Sequence, residues 1–106
     1  MILQSVAITS AASGSQAVIA AVTNKRILVY RFYLTNAVAT AQAFTLLDGA
    51  TALTGAIALP TSVGGFVGFQ DTYDNCPIFI TSAGNAFNIS LANATATAGY
   101  CQYTVL

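Results

Sequence analysis

The residues able to do chemistry in this chain are few and widely scattered. Asp71 and Asp74 flank the segment Asp71-Thr72-Tyr73-Asp74-Asn75, its most polar stretch. Two carboxylates at a defined separation are what glycoside hydrolysis requires, and Asp71, Asp74 and Asn75 could offer oxygens to calcium. The spacing does not match the calcium-loop pattern. Loop solvation or turn capping is therefore the preferred reading for both aspartates. Cys101 with an aspartate would make a nucleophilic pair, but nothing in the sequence activates the thiol. The chain contains no histidine and no glutamate, so the familiar triads cannot be built. Cys76 and Cys101 do not close a zinc site by themselves; they are read as small buried thiols, with a disulfide between them as the alternative. Gly64-Gly65 and Gly68 lack the Lys-Ser/Thr ending and the helix of a phosphate cradle. The expectation is a protein that is not an enzyme and holds no cofactor and no metal.

Charge is scarce everywhere. Only Lys25, Arg26, Arg31, Asp48, Asp71 and Asp74 carry it, 6% of the 106 residues, against about 25% in an average soluble domain. With formal net charge zero, association is favoured over repulsion. No basic patch exists to neutralise phosphates, so nucleic acid is not an expected partner. No apolar run approaches the roughly 20 residues that span a bilayer, so no membrane is expected. The start, Met1-Ile2-Leu3-Gln4-Ser5, has neither the basic nor the long apolar region of a signal peptide. Folding in a cytoplasm is the simplest expectation.

The elements that position these residues read as strands. Alternation and turn residues recur about every 8–12 residues, as in a sandwich or barrel. Strands are expected over 2–8, 16–22, 25–36, 42–48, 52–59, from Phe66 through Phe69, 77–81, 87–91 and 97–105. Asp48-Gly49 is a strong hairpin signal, and Pro60 stops the strand before it. The Ala-rich stretch 37–43 lacks a capping box and a charged face, so strand or loop is preferred to helix. The fold class expected is all-β: one domain, residues 1–106, an antiparallel β-sandwich with a jelly roll as its leading version. An immunoglobulin-like sandwich is the runner-up.

The strand over 25–36 carries the argument about assembly. Alternate residues of a strand face opposite sides. One side reads Arg26, Leu28, Tyr30, Phe32, Leu34; the other reads Lys25, Ile27, Val29, Arg31, Tyr33. Both are largely apolar, whereas a half-solvated sheet has one polar face. One face is therefore expected in the core and the other, Ile27, Val29, Arg31 and Tyr33, against a second subunit. Burial under a long loop is the alternative. Arg31, costly mid-strand unless paired, is expected to meet Asp71 or Asp74, or else to lie at a rim with its head in water. Tyr30, Phe32, Phe79, Phe87 and Ile89 are expected in the core. Asp71, Tyr73, Asp74 and Asn75 form the one candidate loop for a ligand or partner.

Several strings follow a shared scheme. A hairpin ends in a basic residue before an apolar strand (Ser13-Gly14-Ser15, then Val18 through Lys25-Arg26-Ile27-Leu28-Val29). Asp48-Gly49 follows, then Pro77-Ile78-Phe79-Ile80-Thr81-Ser82-Ala83-Gly84-Asn85-Ala86, then Gly99-Tyr100 and Tyr103. This scheme resembles small virion proteins of tailed bacteriophages, the jelly-roll capsid decoration (cement) and head-fibre proteins, often trimers. The resemblance implies a structural role on the capsid surface after assembly in the host cytoplasm. It implies partners that are other copies of the chain and the major capsid protein or another virion protein, and it brings no catalytic residues. The alternative expectation is a tail-associated or lectin-like module that recognises a host surface glycan.

Overall fold

The computed structural model describes residues 3–61, 66–70 and 76–106. It is all-β, with two antiparallel sheets packed face to face. The strands are β1 (Gln4–Ser10), β2 (Gly14–Ile19), β3 (Ile27–Asn36), β4 (Gln42–Asp48), β5 (Thr51–Ala52), β6 (Ile57–Leu59), β7 (Phe66–Gln70), β8 (Phe79–Ile80), β9 (Phe87–Leu91) and β10 (Thr97–Val105). The first sheet runs β1-β10-β3-β7, with β8 also on β3; the second runs β2-β9-β4-β5, with β6 also on β4. Each early strand pairs with a late one in reverse order: β1 with β10, β2 with β9, β3 with β7 and β8, β4 with β5 and β6. Among the described residues no helix is long and apolar enough to cross a membrane.

Local chemistry explains most boundaries. Gly14 opens β2 at φ 91, and Gly49 begins the β4–β5 hairpin at φ 59, conformations that glycine adopts without steric penalty. The expected strand over 52–59 is broken into β5 and β6. There the Thr54 hydroxyl accepts from the Leu46 amide at 3.2 Å and donates to the Gly55 carbonyl at 2.8 Å. The side chain thus takes a ladder position that backbone would otherwise fill.

Ile27, Val29, Arg31 and Tyr33 do not share one face, contrary to the expectation for strand 25–36. Val29 pairs with Tyr103 and Arg31 with Gln102, so Tyr30 is an extra residue opposite β10. An inserted residue of this kind is a β-bulge, and one residue of offset sends each following side chain to the opposite face. Ile27 and Val29 before the bulge, and Phe32 and Leu34 after it, consequently all enter the same core. The first two are 0% exposed. They are core residues of a single chain and not part of an interface. Of the four residues expected there, Arg31 and Tyr33 alone lie on the half-exposed outer face.

Phe32 sits at the centre of the core. Its ring lies 5.8 Å from Phe44 and 6.3 Å from Phe87, the latter edge-on. Phe87 and Ile89 are buried as expected, Phe79 packs on the cluster from its edge, and Tyr30 is buried outside it. At Gly99 the sheet tolerates no side chain, because a Cβ there would overlap the Tyr33 carbonyl. At Gly55, by contrast, a Cβ would meet nothing within 4 Å.

Two stability outcomes follow. Phe87→Ala removes a fully buried ring and is expected to cost about 3–5 kcal/mol, read as a lower denaturant midpoint. Gly99→Ala must push β10 away from β3 and is expected to lower the thermal midpoint well below that of Gly55→Ala. Equal midpoints for the two glycine variants would refute the close approach.

Candidate functional site

Past the bulge, β3 turns Arg31, Tyr33 and Thr35 outward. The register then sets Tyr33 between Tyr100 of β10 and Gly68 of β7, and Arg31 between Gln102 and Gln70. Phe66, two positions before Gly68, stacks on Tyr33 at 5.2 Å, and Tyr33 stacks on Tyr100 at 5.6 Å with an interplanar angle of 16°. Three rings thus form a ladder across the outer face of the first sheet. Gly68 lies against the ladder, and a Cβ there would stand in ordinary contact, 3.8 Å from the Tyr33 ring and 4.0 Å from Phe66. An aromatic leaning over a strand glycine compensates for its missing side chain.

The ladder is open to solvent. Phe66 is 57% exposed and Tyr100 is 40% exposed. Beside it lies a shallow cleft of about 220 Å³ that includes Arg31, Gly68 and Gln70 in its walls. The Arg31 Nη1 donates to the Gln102 Oε1 at 3.0 Å. A neutral amide of the same chain therefore supplies an acceptor for this cation. The aspartates expected to pair with it, Asp71 and Asp74, lie outside the described residues, as does the whole candidate loop Asp71, Tyr73, Asp74 and Asn75. Arg31 and Tyr33 are thus brought together with Phe66 and Tyr100, two residues that sequence reasoning passed over. Their exposure follows from cross-strand register, which leaves no local signal.

Cys101 is 0% exposed, and burial pushes its thiol up to about 12, so it is protonated at neutral pH. Cys76 is free and exposed, not buried as expected, and no disulfide joins it to Cys101. The distance in environment is simple: Cys101 points inward from β10, whereas Cys76 precedes β8 in a loop. Among the described residues no group of three or more metal-ligating side chains comes together.

Asp48 is a hub at one end of the sandwich. Its Oδ2 accepts from the Ser82 amide and hydroxyl, each at 3.0 Å, and its Oδ1 accepts from the Asn85 Nδ2 at 2.9 Å. Partial burial pushes its carboxyl up. The hydrogen bonds from Asn85 and Ser82, with the Arg26 charge, outweigh that and hold it below the ordinary carboxylate value. Gln42 plays the matching part at the other end: its Nε2 donates to the Asn93 carbonyl at 2.6 Å, and its Oε1 accepts from the Asn93 amide at 2.9 Å. No protein-family model matches the chain, and no curated protein matches its sequence.

The Asp48 clamp implies an acid limb in stability. A carboxyl whose folded value is depressed stabilises fully above the unfolded value, about 3.9, and loses that contribution as pH falls through the folded value. Asp48→Asn is expected to be slightly less stable than the parent at pH 7, the clamp being surface-exposed. Its urea midpoint should then fall less than the parent's between pH 6 and pH 3. Parallel falls would remove Asp48 from the acid response.

Proposed function

We propose that this chain is a non-enzymatic, self-assembling virion structural protein, a jelly roll that decorates or cements a phage capsid. The observation that carries the reading is the open ladder Phe66-Tyr33-Tyr100 with Arg31 at its side. Tyr, Phe and Arg are enriched at the centres of protein interfaces, and Lys, Glu and Asp are depleted there. This face has that composition, and a contiguous aromatic patch marks a contact site on a soluble domain. The reverse-order strand pairing supports the jelly-roll version, since folding one long hairpin over itself produces two such four-stranded sheets. Two interrupted strands, β5 with β6 and β7 with β8, bring the count to eight. The resemblance adds the virion setting, the capsid partner and three copies.

The cleft favours one second reading. Aromatic rings beside the Arg31 guanidinium and the Gln70 amide are groups that suit a sugar, with apolar faces for its C–H groups and donors for its hydroxyls. A lectin-like module for a host surface glycan would use the cleft in this way.

Light scattering separates the two readings. The structural reading expects a mass that is a multiple of the 10.9 kDa chain at micromolar concentration. A stable monomer would sink it. Saturable quenching of tyrosine fluorescence by bacterial surface glycans, with the chain still monomeric, would put the lectin reading in its place.

A further inference from the structure

The two sheets end in four edges, and they are not alike. Exposed edges invite pairing with another chain unless they are short, bulged, charged or interrupted by proline. The edge of β7 and β8 is broken into 5- and 2-residue pieces, contains Gly68 and has Pro77 just before β8. The edge of β5 and β6 is broken into 2- and 3-residue pieces around Gly55 and is closed by Pro60. On the opposite side β2 carries a register shift between Ala17 and Ile19. Its Gln16 side chain also folds back to donate to the Ala12 carbonyl at 2.8 Å.

Edge β1 has none of these features. Its 7 residues, Gln-Ser-Val-Ala-Ile-Thr-Ser, include no charge, proline or glycine. They pair with β10 in unbroken register from Gln4 to Ser10. Among the described residues β1 pairs with β10 alone. One side of the sandwich is thus blunted on both sheets, while on the other, among the described residues, a neutral strand of unbroken register lies at the edge.

We propose that β1 joins β1 of a second copy of this chain, antiparallel about a two-fold axis at Ala7, making one continuous sheet across two subunits. This rests on the reading of the chain as self-assembling and names its joint. A second copy fits for three reasons. An uncharged strand does not repel itself. The two-fold sets Ser5 opposite Thr9 on the outer face, a hydroxyl pair that favours antiparallel strands. On the inner face it sets half-buried Val6 opposite Ile8, so the core continues across the joint. Ala7 is the cross-strand neighbour of Tyr100 on the outer face. The joint therefore places the two aromatic ladders on one surface, flanking the axis. Pairing of this kind is isologous and closes at two copies, in place of the three that the resemblance implies.

Ser5 and Thr9 are exposed in the single chain, so lysines there leave the fold intact but face each other across the joint. The wild-type chain is expected to scatter as a dimer. The double variant Ser5→Lys/Thr9→Lys is expected to keep the denaturant midpoint that the wild-type chain shows when dilute and monomeric, and to dissociate about tenfold more readily or worse. Amide hydrogen exchange on the unmodified chain gives a second test. The outward amides of β1 should exchange about tenfold more slowly at concentrations where the chain is dimeric than where it is dilute. A wild-type monomer would overturn the self-assembly reading itself. A trimer, or any oligomer whose outward β1 amides stay fast and whose mass ignores the lysines, would overturn the joint and leave that reading standing.

Discussion

The extra residue at Tyr30 is the constraint on which the rest of this molecule depends. β3 is the central strand of its sheet, and its two halves carry apolar residues on opposite parities. A regular strand would have to expose either Ile27 and Val29 or Phe32 and Leu34. Either choice strands large apolar side chains in water at about 25 cal/mol per Å². The bulge brings both sets onto one side. The same shift decides what faces outward: Arg31 and Tyr33 lie outside because Phe32 and Leu34 lie inside. Core and ladder are therefore two consequences of one irregularity.

A chain with so few charges must satisfy its polar groups in other ways, and amides and hydroxyls do that here. Among the described residues no buried side-chain nitrogen or oxygen lacks a partner. Asp48 ties its end of β4 to the β8–β9 connection and Gln42 ties the other end to the β9–β10 connection, and Thr81, 0% exposed, accepts from the Ile27 amide at 2.9 Å where β3 begins. Arg31 donates one of its hydrogen bonds to the Gln102 amide. Asp48 and Arg31 thus bond to neighbouring loop and strand residues, and the outer aromatic ladder is a distinctive surface among the described residues. Among the described residues the walls of this aromatic surface hold no carboxylate, and aromatic rings suit contact with a neutral or aromatic partner better than steering of a charged one.

Much of the architecture was legible in local pattern. The strand over 42–48 coincides with β4, and 87–91 and 97–105 coincide with β9 and β10. Asp48-Gly49 makes the hairpin that its chemistry demands, because a positive φ at the turn is a local property of glycine. Phe32, Phe87 and Ile89 are buried because apolar residues alternating within β-favouring neighbours have one place to go. Cys101 is buried as expected and Cys76 is not; its apolar neighbour Pro77 gives no sign that it lies in an exposed loop before β8.

What the amino-acid order determined by itself is most of the strands, the Asp48-Gly49 turn and core residues such as Phe32, Phe87 and Ile89. Those depend on residues within a few positions of one another. What only the tertiary structure decided is register: the insertion of Tyr30 opposite β10, the neighbours of Tyr33 on two other strands, and which edges stand open. Phe66 and Tyr100 are 34 positions apart in the chain and meet the same tyrosine only through two separate strand pairings. A bulge costs or gains energy through contacts across the sheet, so the parity switch along β3 permits it, and only pairing with β10 places it at Tyr30. The candidate site is built from such pairings, which is why its face was misassigned while its strands were not.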